Sequence, residues 1–341
     1  MKYTYSSNEL SGAAESPKDE QVRPVRKSPG SGSVWIVVSA VAGLCAAAGW
    51  WLSGRSNNPL SALPVAGQGD KPALSDGAAQ KKASDKDIVL YLESTEAEVR
   101  QLFELVRQSA FVQENAQYRS LMKEVGFVYA STNDDVNAVA SRMVGKDGKE
   151  TRLITCYAGE MRFAKTIALA AAAELSGRKG SVHAMMEKMS PVQCVRLGLN
   201  DAAGLLRECG LDSCLLDESI RVKAKSIGSG SVLGVLAHEV GHQVLGHNYQ
   251  SGKAGLNTEV LRNFESQADL FASSVMSSSP FGEFVFAGRL FALWVRMRQT
   301  DPILRKLPAG KLDHPLDKER FMALLLANKE KAAALGIKVP E

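Results

Sequence analysis

The chain has 341 residues and a formal net charge of +4, with 45% hydrophobic and 23% charged residues, room for one large or two modest globular domains plus accessory segments. Its Lys and Arg residues are scattered rather than striped along one element, so nothing in the charge points to nucleic acid. The five cysteines form no C-x-x-C pair, which argues against a zinc ribbon.

Residues 1–32 are polar and rich in Ser, Pro, Gly and charge, too poor in apolar surface to fold, and read as a disordered cytoplasmic tail. Residues 33–52 carry no charge, and about 20 such residues suffice for a helix to cross a bilayer. Trp35 at one end and Trp50 with Trp51 at the other sit where interfacial aromatics belong. Arg23, Arg26 and Lys27 precede this stretch and only Arg55 follows closely. The positive-inside bias then predicts a single-pass inner (plasma) membrane protein whose remaining chain is periplasmic or otherwise extracytoplasmic. A cleaved signal peptide ending at Ala46-Ala47-Ala48 is the competing reading. Cys45 follows Leu44, a poor lipidation context, and reads as a small apolar residue of the span.

Residues 53–85 turn to Gly, Pro, Ala, Ser and Asn and predict a flexible linker. Residues 86–341 form the folded domain, opened by the Thr95-x-x-Glu98 capping box of a long helix. Short strands at 127–130, 136–140 and 152–157, with Asp147-Gly148 as a turn, predict a small antiparallel sheet. Residues 160–175 are Ala- and Leu-rich with Gly177 beyond, a buried helix with its cap. Residues 181–226 are mostly helical in character, broken by Gly204, Gly210 and the Cys209 to Cys214 loop, and His183 there reads as a surface or packing residue. Cys156, Cys194, Cys209 and Cys214 allow either up to two disulfides or buried thiols. Gly228-Ser229-Gly230-Ser231 predicts a flexible entry, capped by Ser229 or Ser231, to the next helix.

That helix carries His238-Glu239-Val240-Gly241-His242 inside an apolar run. Residues four apart share a helix face, so two imidazoles project side by side, a pair suited to Zn2+. Glu239 can then stand beside the remaining coordination position as general base. His247 is five residues past His242 and Gly246 four, which does not fit the extended motif with its third histidine, so His247 reads as a polar residue stabilised at the helix end. Glu265 and Asp269 lie four apart in a second helix among Phe264, Leu270 and Phe271. Two carboxylates on a buried face need something positive to meet them. Glu265 as third metal ligand and Asp269 as hydrogen-bond acceptor for a ligand histidine answer that need; a solvated acidic face is the plain alternative.

H-E-V-G-H-Q-V-L-G-H, then E-S-Q-A-D, then Asp313-His314-Pro315 with Arg320 beyond, resembles the M48 metallopeptidases, the group that includes the HtpX heat-shock protease, the CAAX prenyl protease and the mitochondrial Oma-type protease. The resemblance spans about 127–325 and implies a zincin-like α+β fold, predominantly helical. It implies one Zn2+ per chain held by His238, His242 and Glu265, with Glu239 as base. Asn137-Ala138 is similar to the family's Asn-Ala segment on the strand bordering the substrate cleft. His314 and Arg320 would lie near that cleft, His314 donating to the oxyanion or filling the open zinc position in a latent form; read alone, His314-Pro315 is an ordinary turn. The 178–228 stretch looks like an insertion, and the single span departs from the several spans of HtpX and the prenyl protease. The function so implied is a zinc-dependent endopeptidase acting on unfolded or damaged envelope proteins. The alternative is a latent or inactive zinc-binding envelope chaperone or assembly factor; a purely structural anchor would leave the whole histidine and carboxylate set unexplained.

Overall fold

Ser84 starts α1 (Asp85–Leu92), because its hydroxyl accepts the Asp87 N–H while the Asp87 carboxylate accepts the Ser84 N–H, a reciprocal cap. The computed structural model describes residues 82–247, 258–278, 282–304 and 317–330. The proposed tail, the 33–52 span and nearly all of the linker lie outside the described residues, as does His314. Among the described residues no helix is long and apolar enough to cross a membrane.

Thr95 caps α2 (Glu96–Arg107) by accepting the Glu98 N–H, and the helix buries Val99, Leu102, Phe103 and Val106 at helical spacing. Short helices α3 (Ala110–Glu114) and α4 (Ala116–Met122) lead into β1 (Val125–Ala130). β2 (Ala138–Val144) and β3 (Glu150–Tyr157) follow, joined at Asp147 and at Gly148, whose φ of 75° suits a residue without Cβ. The sheet order is β1-β3-β2, so β3 is central and β2 lies at an edge. β2 pairs antiparallel with β3, but β1 pairs parallel with it. The sheet is therefore mixed, which corrects the all-antiparallel expectation. The reason is visible in the packing. Phe127 of β1 stacks on Phe103 of α2 at 4.9 Å, holding β1 on the side of β3 away from β2. Two successive chain reversals then leave β1 and β3 pointing the same way.

α5 (Ala158–Leu175) leaves β3 directly and is buried over most of its length, and Gly177 at φ 92° follows its end. The 178–228 stretch adds α6 (Ser181–Lys188) and α7 (Leu199–Glu208). It also extends the strand system: the Val136 N–H donates to the Val195 carbonyl at 2.7 Å and the Leu197 N–H to the Asp134 carbonyl at 2.8 Å. Cys156, Cys194, Cys209 and Cys214 are all free thiols, so the disulfide alternative is not realised. Burial pushes the Cys156 thiol well above its ordinary range.

The spine is α8 (Glu218–Val244), 27 residues long and capped by Asp217, which accepts from the Ser219 and Ile220 N–H groups. Gly228 to Ser231 are helical and lie inside it, which corrects the flexible-entry expectation. Packing overrides propensity here. A Cβ on Gly228 would sit 3.4 Å from the Ala164 carbonyl oxygen of α5, and one on Gly288 would come within 2.4 Å of the Ile227 carbonyl oxygen. Small residues on α8 and its neighbour thus let two helix backbones approach closely. α9 (Thr258–Ser278), α10 (Gly282–Gln299), α11 (Asp301–Leu304) and α12 (Asp317–Ala327) complete the helical layer, and α8 packs against α5, α9 and α10.

Candidate metal centre

Gly241 decides how near the carboxylates come to the histidines. A Cβ there would lie 3.1 Å from the Ala268 Cα and 3.2 Å from the Phe271 Cβ, so its absence lets α9 settle against α8. Glu265 and Asp269, one turn apart on α9, are thereby brought to His238 and His242, one turn apart on α8. His238 Nε2 lies 3.1 Å from His242 Nε2 and 3.2 Å from Glu265 Oε2, and His242 Nε2 lies 3.4 Å from Glu265 Oε1. Among the described residues, His238, His242 and Glu265 form the one group of His, Cys, Asp and Glu side chains whose ligand atoms converge closely enough to hold a metal ion.

The surrounding network assigns the ring protons. His238 Nδ1 sits 2.8 Å from Asp269 Oδ1 and donates to it, so Nε2 is the nitrogen that faces His242 and Glu265. Asp269 in turn receives the Arg320 guanidinium in a fork, Nε to Oδ2 at 2.9 Å and one terminal nitrogen to Oδ1 at 2.8 Å. His242 Nδ1 lies 3.0 Å from His247 Nδ1, and His247 Nε2 lies 3.0 Å from Gln267 Oε1. An amide oxygen only accepts, so His247 donates through Nε2 and accepts at Nδ1, and His242 donates through Nδ1. Its Nε2 is then the nitrogen turned toward His238 and Glu265. Two imidazole nitrogens and a carboxylate converge on one point; with Nε2 of His238 deprotonated they are a donor set that suits a cation, and with no metal that nitrogen shares a proton with Glu265 instead.

The charges on this site are strongly coupled. Burial disfavours a charged His238, yet the Asp269 carboxylate and the hydrogen bonds to Asp269 and Glu265 outweigh it and raise the imidazole to about 9 when no metal competes. Burial likewise works against an ionised Asp269, and Arg320 with His238 overcomes it, holding the carboxyl far below the usual range. His247 goes the other way. Burial, helped by nearby His242, lowers it to about 4 despite the bond it donates to Gln267, so it is neutral at pH 7.

Glu239 extends from the same helix toward the sheet, where its Oε2 accepts the Ala140 N–H at 2.7 Å. Its Oε1 stands 4.0 Å from His238 Nε2, beside the ligand triangle. One turn on, the buried Gln243 donates to the carbonyls of Ser141 at 2.8 Å and Leu153 at 3.2 Å, pinning the helix to the β2–β3 rung. Asn137 and Ala138 lie at the head of β2, beside this contact, with the Asn137 carbonyl accepting the Tyr157 N–H at 3.2 Å. Arg320 reaches the site through Asp269, at the rear of His238. His183 lies on the surface against Glu187, 3.2 Å away and far from the histidine cluster in chain and role.

His247 stands just past the end of α8, as its spacing predicts, and outside the group of converging ligand atoms. What its spacing does not show is its burial: it is 2% exposed and stacks on the Phe264 ring with centroids 4.5 Å apart. Gly246, at φ 74°, turns the chain back after α8 and tucks the imidazole behind His242. A glycine just past a helix end followed by a histidine, with Phe264 and Gln267 three apart on the next helix, is the signal that could have found it. No protein-family model matches the chain, and no curated protein or solved structure matches it.

Proposed function

We propose that this chain is a zinc-dependent endopeptidase of the M48 kind. The observation that carries the reading is the convergence of two imidazoles and one carboxylate: His238 Nε2 and His242 Nε2 are 3.1 Å apart, and Glu265 Oε2 and Oε1 lie 3.2 Å from the first and 3.4 Å from the second respectively. Zinc–ligand bonds of 2.0–2.1 Å in a tetrahedron place neighbouring ligand atoms about 3.3 Å apart, and two imidazoles with one carboxylate are the donor set of a site that keeps a fourth position open. A bound zinc ion supplies Lewis acidity toward a peptide carbonyl and lowers the pKa of water.

The chain's own residues supply the rest. Glu239, next to the triangle but outside it, takes the proton of the attacking water and returns it to the departing amine. Asp269 fixes the ring plane and tautomer of His238, and His247 does the same for His242. β2 is an edge strand alongside the site, and an extended peptide can pair with it through backbone bonds that ask little of sequence. Met143 and Val144 at its far end are exposed apolar side chains, an apt contact for unfolded protein clients. On the 33–52 stretch we base a membrane-anchored, extracytoplasmic placement, which makes damaged envelope proteins the natural substrate class.

The test is hydrolysis of casein by the metal-loaded full chain beside Glu239→Gln, with metal content measured on both. We expect equal zinc and a loss of at least about 10²-fold in the variant. Equal cleavage by the two proteins would refute the mechanism. Client binding without cleavage by the wild type would favour the chaperone reading instead.

A further inference from the structure

The Asn137 carbonyl bonds inward to Tyr157 of β3, and the register pairs Ala138 with Cys156 and Ala140 with Ile154. Backbone groups alternate sides along an antiparallel edge strand, so Ala138, Ala140 and Arg142 direct theirs to the open edge. That edge is covered at one end, where 195–197 pair with Asp134 and Val136. In its middle, the outward Ala140 N–H is already taken by Glu239. The strand cannot yield, because Gln243, 2% exposed, fastens α8 to the Ser141 and Leu153 carbonyls. The Glu239 side chain is the freer partner, with 13% exposure.

We infer that an extended substrate and Glu239 compete for the Ala140 N–H, so that a peptide long enough to pair at Ala140 releases the base onto the attacking water. This rests on the peptidase reading and deepens it. Pairing of a substrate carbonyl with Ala140 would then raise turnover as well as affinity, and short peptides that leave Ala140 untouched would be cleaved with the base still held at the strand edge. The site would in this way favour extended segments of unfolded chains over small peptides. Ala140 is by this account a positioning residue, acting through Glu239 and never on the reacting atoms.

The experiment measures kcat and KM of the zinc-loaded full chain on peptides sharing one scissile sequence and lengthened residue by residue on either side. We expect a step in kcat of about tenfold, the worth of one exchanged hydrogen bond, at the residue whose carbonyl reaches Ala140. Replacing that carbonyl with a methylene should abolish the step in the wild type. Ala140→Pro removes the N–H at an edge position where no ladder bond is lost; it should raise kcat on the short peptides and erase the step. Equal falls in kcat on short and long peptides in Ala140→Pro, or a wild-type kcat independent of length, would overturn the proposal while leaving the peptidase reading intact. If the variant loses zinc or unfolds, the methylene peptide on the wild type decides alone. A wild type no more active than Glu239→Gln on every peptide would overturn both.

Discussion

Behind His238 stands a carboxylate locked by a guanidinium, whereas behind His242 stands a neutral imidazole resting on an amide and a phenyl ring. The two ligands are one helical turn apart and point at the same place, yet one is held by charge and the other by shape. The charged support raises the basicity of its histidine and strengthens its pull on a cation. The neutral support fixes a tautomer and adds no charge, so the cleft does not accumulate negative groups that would repel one another when empty. A site backed by carboxylates on both sides would bind metal more tightly and fold less well without it.

Breaking the charged side should have the larger effect. Asp269→Asn removes the negative charge behind His238 Nδ1–H and breaks the two-oxygen fork to Arg320, whose side chain is 11% exposed. We expect metal affinity to fall by about 100-fold and the metal-free protein to lose about 3 kcal/mol, read by chelator competition and by urea unfolding. His247→Ala removes the neutral support and its stack on Phe264. There the expected loss of affinity is about 10-fold. Equal losses in the two variants would erase the distinction between the two supports.

The pH dependence of the metal-free protein sharpens the same contrast with a smaller effect. His238 is raised to about 9 in the fold, so the stability it contributes is complete below its unfolded value of about 6.5 and is lost as pH rises from there through about 9. His247 is lowered to about 4. The unfolded chain then binds a proton the fold refuses, and stability falls as pH drops from about 6.5 toward about 4. Unfolding free energy against pH should peak between these limbs. Asp269→Asn should flatten the alkaline limb alone and His247→Ala the acid limb alone; a curve in which either variant alters both limbs would show the two histidines to be one coupled unit.

Much of this was legible in the chain because it depends on neighbours in sequence. The Thr95 cap, the turn at Gly148, the buried α5 and the facing of His238 with His242 follow from local spacing, and Glu265 with Asp269 from a single helical turn. What was illegible depends on where distant segments meet. The parallel β1–β3 pairing needs to know which side of β3 the stack of Phe127 on Phe103 occupies. Gly228 to Ser231 look like a linker until α5 and α10 are packed against them. Gln243 and Ala140 carry no motif at all, and the contact of His247 with the rear of His242 depends on Phe264 and Gln267 of another helix.

The helix that carries His238, Glu239 and His242 is also the one on which α5, α9 and α10 assemble. Residues carried on a peripheral loop can fray locally, but these belong to the segment most deeply committed to the fold. Anything that binds them is therefore coupled to the domain as a whole. An ion held there would act as a rivet at the hub of the helical layer, and taking it away with a chelator should lower the stability of every element that rests on α8 together.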